Sequence, residues 1–316
     1  MYLTEQQYFE WSECGYCIVK NLIDNKLIKK CHNFLSNHYN HNNVCVDFGS
    51  KNHELEFPSN TILDKLYIHE KIIKSVQQLL NTNDILLTQA DTWSKSGNNT
   101  IRTNGNQRIH MDYGNHTFLH ISDWNEPEAV AMIIYLSDTN ITGGGTAVVK
   151  RLGNDDELYQ KPYIKMPGQA NYKFINDKDK AEEYFKNTDI NVYNFRQKLY
   201  KREVITKPSV GDILFYRLDT WHRGTHVKPG KIRNVMNLVW KKKECHWIQQ
   251  WNRGFTKKMY DGILEKIFID MSPLQRSVFG VPMPGDKYWS IDKVKLLISR
   301  YPNIDIKPYL LNISKL

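Results

Sequence analysis

Apolar residues recur at helical spacing at both ends of the chain and at alternating spacing through its middle. Thr4, with Gln7 three positions on and Tyr8, Phe9 and Trp11 following, predicts a capped helix over residues 4–13, and Gly15 ends it. Tyr16 to Lys20 reads as a short strand. Asp24 caps a second helix carrying Leu27, Ile28, Cys31 and Phe34 on one face. Residues 64–80 repeat the pattern through Leu66, Ile68, Ile72, Val76, Leu79 and Leu80. From residue 85 the period falls to two. It predicts strands over 85–93, 107–112, 117–121, 130–136 and 146–150, and again over 213–217, 222–227 and 233–240. Gly143-Gly144-Gly145 reads as a hairpin turn between two of these; it lacks the Lys-Ser/Thr of a phosphate loop. Residues 153–205 interrupt the strands with Pro and Gly and then a charged helical stretch from Asp179 to Arg202. After residue 244 the pattern is helical again. The chain therefore reads as mainly β with flanking helices: a barrel or sandwich core over about 85–240, buttressed by helices before, after and within it.

Composition narrows this picture without changing it. The 316 residues are 41% hydrophobic and 24% charged, with 18 Tyr, 12 Phe and 8 Trp, enough apolar material for a substantial core. The formal charge of +9 fits either an ordinary basic protein or one with an anionic partner. The longest cationic run is only Lys241-Lys242-Lys243, and no nucleic-acid-binding signature accompanies it. The start is polar and the longest apolar run, Ala129 to Leu136, is too short to span a bilayer, so a cytoplasmic protein without a membrane span is expected. Five cysteines at irregular spacing read as reduced thiols. Cys14 and Cys17 match C-x-x-C, but no second pair stands at zinc spacing.

The chemistry-bearing residues lie in the strand block. His110 and Asp112 are two apart on a predicted strand, so both side chains leave the same face. An imidazole and a carboxylate so placed are two thirds of a facial triad, which leaves three adjacent metal positions open. The second cluster runs from Gly211-Asp212 through an apolar strand to His222. Arg233 follows eleven residues later, on the predicted return strand after a turn at Pro229-Gly230, which sets it beside His222. A guanidinium fork there suits the far carboxylate of a chelating diacid. His226 is a rival ligand, but only seven residues before Arg233 it reads better as a rim residue. His116 and His120 read as structural.

At these residues the chain resembles the phytanoyl-CoA dioxygenase (PhyH-like) family of iron- and 2-oxoglutarate-dependent oxygenases. The resemblance covers about residues 5–240: the entry Gly15-Tyr-Cys-Ile-Val-Lys-Asn-Leu-Ile, the pair His110-Met-Asp112, and Gly211-Asp212-Ile-Leu-Phe-Tyr with His222 and Arg233. It implies a double-stranded β-helix, a cupin-like jelly-roll core with helical N-terminal, insert and C-terminal segments. It implies an oxygenase domain over 1–244 with the insert at about 153–205, and a helical extension over 245–316 packed on the core. It implies Fe(II), 2-oxoglutarate and O2 as reactants and succinate and CO2 as products. Carried over by position, His110, Asp112 and His222 are the iron ligands and Arg233 binds the C5 carboxylate of 2-oxoglutarate. Asp112, where related halogenases have a small residue, points to hydroxylation.

Several positions depart from the family's pattern. Met111 stands where Gln is frequent, and Gly224 where Ser is frequent; Lys95, Thr117 or Thr225 can stand in as further contacts to 2-oxoglutarate. The loop Lys150-Arg151-Leu152-Gly153 replaces the family's P-G-S-H, which argues against phytanoyl-CoA as substrate. Small molecule, lipid, protein side chain and nucleobase all stay open, as do a catalytically silent member and a nucleic-acid-acting member of the same fold. The insert reads equally as a lid over the site or as packing.

Overall fold

The computed structural model of the chain describes residues 2–39, 55–97, 105–112, 117–121, 123–161, 174–248, 268–277, 280–311 and 313. The N-terminal helix α1 (Glu5–Cys14) forms where its cap predicts. The Thr4 hydroxyl accepts from the Gln7 amide, the Gln7 side chain returns the bond, and Gly15 closes the helix at φ 95°. Strand β1 (Tyr16–Val19) follows, and then α2 (Asn25–His38), capped by Asp24. The predicted 64–80 helix is two pieces, Asp64–Tyr67 and α3 (Glu70–Leu80). His69 breaks it: its backbone is extended and its ring accepts from the Lys71 amide, which starts a new helix.

Seven more strands follow: β2 (Ile85–Ser96), β3 (Ala129–Tyr135), β4 (Thr146–Val149), β5 (Glu203–Ile205), β6 (Ile213–Tyr216), β7 (His222–Gly224) and β8 (Ile232–Lys242). With β1 they form two antiparallel sheets, one of five strands in the order β1-β6-β3-β8-β2 and one of three in the order β5-β4-β7. Alternation along the large sheet decides what each face meets. Val130, Met132, Ile134, Phe215, Met236 and Leu238 bury one face against α2 and α3. Trp93, Tyr135, Tyr216, Val235 and Val239 bury the other, with Val148 of the small sheet. Each such side chain contributes about 1.5–3 kcal/mol on burial. The sheets meet directly where the Tyr135 and Thr146 hydroxyls lie 2.7 Å apart.

Helices α4 (Lys178–Thr188) and α5 (Ile190–Arg202) lie between β4 and β5, with a cap at Asp189 dividing the helical stretch predicted there. Helix α6 (Ile291–Arg300) sits near the C-terminus and buries Val294 and Leu297 in the same cluster as the sheet residues. Among the described residues no helix is long and apolar enough to cross a membrane.

Four expectations need correction. Residues 107–112 and 117–121 are not strands; each makes an isolated bridge, His110 with His222 and Thr117 with Ile248. Side chains occupy the backbone groups a neighbouring strand would take: Arg196 and Tyr200 at Ile109, Arg300 at Thr117 and Leu119. The triple-glycine segment is not a hairpin turn. It follows a single helical turn, Thr139–Thr142, and carries the chain from one sheet to the other. Finally, β7 and β8 do not form a hairpin, since they belong to different sheets.

Candidate metal centre

His222 is fixed by β7, whose partner β4 aligns Val148 with it. His110 is fixed by the bridge to His222, in which each backbone amide donates to the other's carbonyl, at 2.9 and 2.8 Å. Asp112 follows two residues on, its amide held by the Leu218 carbonyl at 3.0 Å. Burial alternates along this segment as on a strand: Ile109 and Met111 are buried, while His110 and Asp112 keep some exposure toward the site.

The three side chains converge. One ligand atom from each lies within 4.8 Å of the others. His110 Nε2 is 3.7 Å from Asp112 Oδ1, and His222 Nε2 is 3.5 Å from Asp112 Oδ2. The tautomers follow from the far side of each ring. His110 Nδ1 lies 3.0 Å from the Arg108 carbonyl and His222 Nδ1 lies 2.9 Å from the Thr220 carbonyl. A carbonyl only accepts, so each Nδ1 carries the proton and each Nε2 presents a lone pair to the carboxylate. Burial, then the neighbouring His222, push the His110 pKa down to about 3, so the ring is neutral at ordinary pH. Two imidazole lone pairs and a carboxylate facing one another are a donor set for a divalent cation, and a proton cannot satisfy all three. The residues present therefore fit a metal.

The reading from sequence did not single out Tyr216. Its hydroxyl donates to Asp112 Oδ2 at 2.8 Å, and its ring lies 4.8 Å from that of His222. Burial and the charge of Asp112 hold the phenol well above its usual pKa, so it remains a donor. Its signal was the alternation of β6, which sends Leu214 and Tyr216 inward together.

Arg233 stands across the sandwich from His222, on β8 of the large sheet. Nη1 donates to the Gly144 carbonyl at 2.9 Å, while Nε is buried without a hydrogen-bond partner. No carboxylate among the described residues pairs with it. Gly144 explains the glycine run: at φ 75°, a Cβ there would meet Arg233 Cδ at 2.9 Å, so only glycine lets the guanidinium pass. Lys95 is the register partner of Arg233 on β2, and its ammonium donates to the Gly105 carbonyl. Thr225 donates to the Gly145 carbonyl, next to the carbonyl that holds Arg233. Thr117 donates to the Leu119 carbonyl and accepts from Arg300 at the foot of α6, tying it to the C-terminal segment. Gln107 accepts from the Gly224 amide at 2.8 Å, and a Cβ at 224 would meet the same Gln107 oxygen at 2.8 Å. Gln107 thus fills the space a larger residue at 224 would need. His226 is exposed and His120 is buried elsewhere, so neither joins the cluster; His116 lies outside the described residues.

One further carboxyl lies on the inner face of β2. Asp91 is 1% exposed, accepts from Trp93 Nε1 at 2.8 Å and from the Gln89 side-chain amide, and forms no ion pair among the described residues. Burial raises its pKa to about 7, against the lowering effect of those two donors. The unfolded chain ionises this group near pH 4. Between about pH 4 and 7 the folded state keeps the proton that the unfolded state has lost, so stability is lost as pH rises through that window. Asp91→Asn removes the dependence. Relative to the natural chain, the variant should gain on the order of 1–3 kcal/mol from pH 4.5 to 7.5 in urea unfolding. An unchanged difference across that range would mean that Asp91 ionises normally.

No protein-family model and no curated protein matches the chain. Solved structures do. The chain is similar to EctD from S. alaskensis with bound Fe, at TM-score 0.53 and 11% identity over 83% of this chain and 85% of that one. It is similar to SnoK, a non-heme α-ketoglutarate-dependent carbocyclase from nogalamycin biosynthesis, at TM-score 0.51 and 13% identity over 76% and 84%. It is similar to HygX from Streptomyces hygroscopicus with nickel and 2-oxoglutarate bound, at TM-score 0.50 and 10% identity over 79% and 90%. At these identities the likeness is one of fold. In two of the three that fold holds a metal, and in one of them 2-oxoglutarate as well.

Proposed function

We propose that the chain is a non-haem iron(II) oxygenase dependent on 2-oxoglutarate, of the PhyH-like kind, that hydroxylates a C–H bond of a small-molecule substrate. The observation that carries this is the convergence of three lone-pair donors, His110, His222 and Asp112, opposite an arginine whose charge has no carboxylate partner among the described residues. The two sheets are then the halves of a double-stranded β-helix. Residues 1–244 form the oxygenase domain, and residues 245–316 an extension packed against it. The likeness in fold to metal- and 2-oxoglutarate-holding structures supports the reading.

His110, Asp112 and His222 would hold the iron on one face, leaving three positions for the cosubstrate and O2. Iron with 2-oxoglutarate and O2 supplies oxidative decarboxylation to succinate and CO2, coupled to oxidation of the substrate. The protein's part is placement. Arg233 would take the C5 carboxylate through the two guanidinium nitrogens not engaged by Gly144, a charge-assisted contact in a half-buried site. The carbonyls of Arg108 and Thr220 hold the imidazole tautomers. Tyr216 fixes the Asp112 carboxylate so that one oxygen stays free for metal.

The test is spectroscopic. Anaerobic addition of Fe(II) and 2-oxoglutarate should raise a weak visible charge-transfer band, and admission of air should yield succinate. No band, or one undiminished in His110→Ala, would overturn the assignment. Tyr216→Phe deletes only the oxygen that orients Asp112. It should weaken metal binding 10–100-fold while leaving the fold intact, as titration against a competing chelator would read. Wild-type affinity in that variant would remove Tyr216 from the centre.

A further inference from the structure

The segment that carries His110 has no ladder of its own. At residue 110 its backbone pairs with β7, whereas at residue 109 it faces the opposite edge, where no strand lies among the described residues. Side chains of α5 fill that edge. The Ile109 amide donates to the Tyr200 hydroxyl at 3.0 Å, and Arg196 Nη1 donates to the Ile109 carbonyl at 3.0 Å. Both side chains are in turn fixed by Glu182 of α4. Arg196 Nε and Nη2 donate to its Oε1 at 2.9 and 2.6 Å, and the Tyr200 hydroxyl donates to the same oxygen at 2.8 Å. Arg196 is fully buried, and Gln197 takes the second Glu182 oxygen at 3.2 Å.

We propose that Arg196 and Tyr200 are positioning residues for the metal centre. Through the backbone of Ile109 they set where His110 stands, so that the helical insert serves as a side-chain substitute for a sheet strand. This rests on the reading of His110 as a metal ligand.

The need for such a clamp is physical. A productive ligand must be held within about 0.5 Å, and metal–nitrogen distances tolerate only about 0.2 Å. Toward β7 the segment is held by the His110–His222 bridge and by the Gln107 amide on the Gly224 carbonyl, with the Arg108 amide on the Ile175 carbonyl and the Asp112 amide on the Leu218 carbonyl. This leaves the Ile109 peptide groups to be fixed from the other edge. The two hydrogen bonds from Tyr200 and Arg196 hold those groups, one residue from His110, and so fix the tilt of the peptide that carries the ligand. The network centres on the buried Arg196 and Glu182 and closes on the half-buried Tyr200, and a rigid, fully satisfied network is the kind that specifies one geometry. A lid would not need it, because a lid must release its contacts on each turnover.

Cobalt(II) is the probe, since its visible absorption reports ligand geometry and its binding needs no turnover. The variants are Tyr200→Phe, which keeps the ring and loses one oxygen, Arg196→Met, and the conservative Arg196→Lys. Arg202→Met is the control: it breaks the Arg202–Asp156 pair, which ties the same helix to the fold away from Ile109. Tyr200→Phe and Arg196→Met should weaken Co(II) binding 10–100-fold and alter its spectrum. Arg196→Lys should recover part of that loss, and Arg202→Met should lower the unfolding temperature with affinity and spectrum unchanged. Wild-type affinity and spectrum in both Tyr200→Phe and Arg196→Met would overturn the clamp while leaving the metal centre standing. An equal weakening in Arg202→Met would also overturn it, as general loosening. If the natural chain itself gives no cobalt spectrum sensitive to His110→Ala, the metal reading falls and the clamp falls with it.

Discussion

Alanine at His110 or His222 is expected to abolish metal binding and with it all 2-oxoglutarate turnover. Either change removes one of three donors that converge within 4.8 Å. The loss should exceed the 10–100-fold that follows from removing an outer partner of a ligand. The fold should survive, because the bridge between the two residues runs through backbone groups that alanine keeps. Thermal unfolding separates these effects. For the natural chain, metal at a hundred times its dissociation constant adds about 2.7 kcal/mol of stability. That gain should vanish in both variants, while their metal-free transitions stay close to that of the natural chain. A variant that still gains stability from iron would refute the ligand set.

Loss of Arg233 should strike the cosubstrate and spare the metal. Its guanidinium is anchored to the Gly144 carbonyl through one nitrogen, its Nε is buried without a partner, and no carboxylate among the described residues neutralises it. Truncating one side of a buried, hydrogen-bonded charge pair costs about 2–5 kcal/mol, or roughly 30- to 4000-fold in affinity. Arg233→Met should therefore raise the 2-oxoglutarate concentration that half-saturates the anaerobic band by a factor in that range, with iron affinity unchanged. Arg233→Lys should recover little, since an ammonium cannot bond Gly144 and grip a carboxylate as a fork does. Unaltered 2-oxoglutarate affinity in Arg233→Met would assign that carboxylate to another residue.

What could be read from the sequence follows from how far each interaction reaches along the chain. The caps at Thr4, Asp24 and Gly15 were legible because their partners lie within four residues. Strands β3, β6 and β8 were legible as apolar runs, and the pairing of His110 with Asp112 on one face from their spacing of two. The geometry around them was not. Arg196 reaches Ile109 across 87 positions and Tyr216 reaches Asp112 across 104, and no local pattern encodes either contact. The strand expected at 107–112 failed for the same reason: its residues alternate as a strand does, but the partner on its outer edge is a helix side chain. The hairpin expected between His222 and Arg233 failed because turn residues at Pro229-Gly230 fix a reversal of the chain, not the sheet in which each arm pairs.

That last difference sets a ruler inside the protein. His222 belongs to the small sheet and Arg233 to the large one, and packed sheets keep a separation of about 10 Å dictated by their core side chains. Any diacid gripped at one end by the metal and at the other by the guanidinium must match a gap that Tyr135, Thr146 and Val235 hold open. On the proposed reading, the reach of a bound diacid is thus gauged by the body of the sandwich as well as by the residues that touch it.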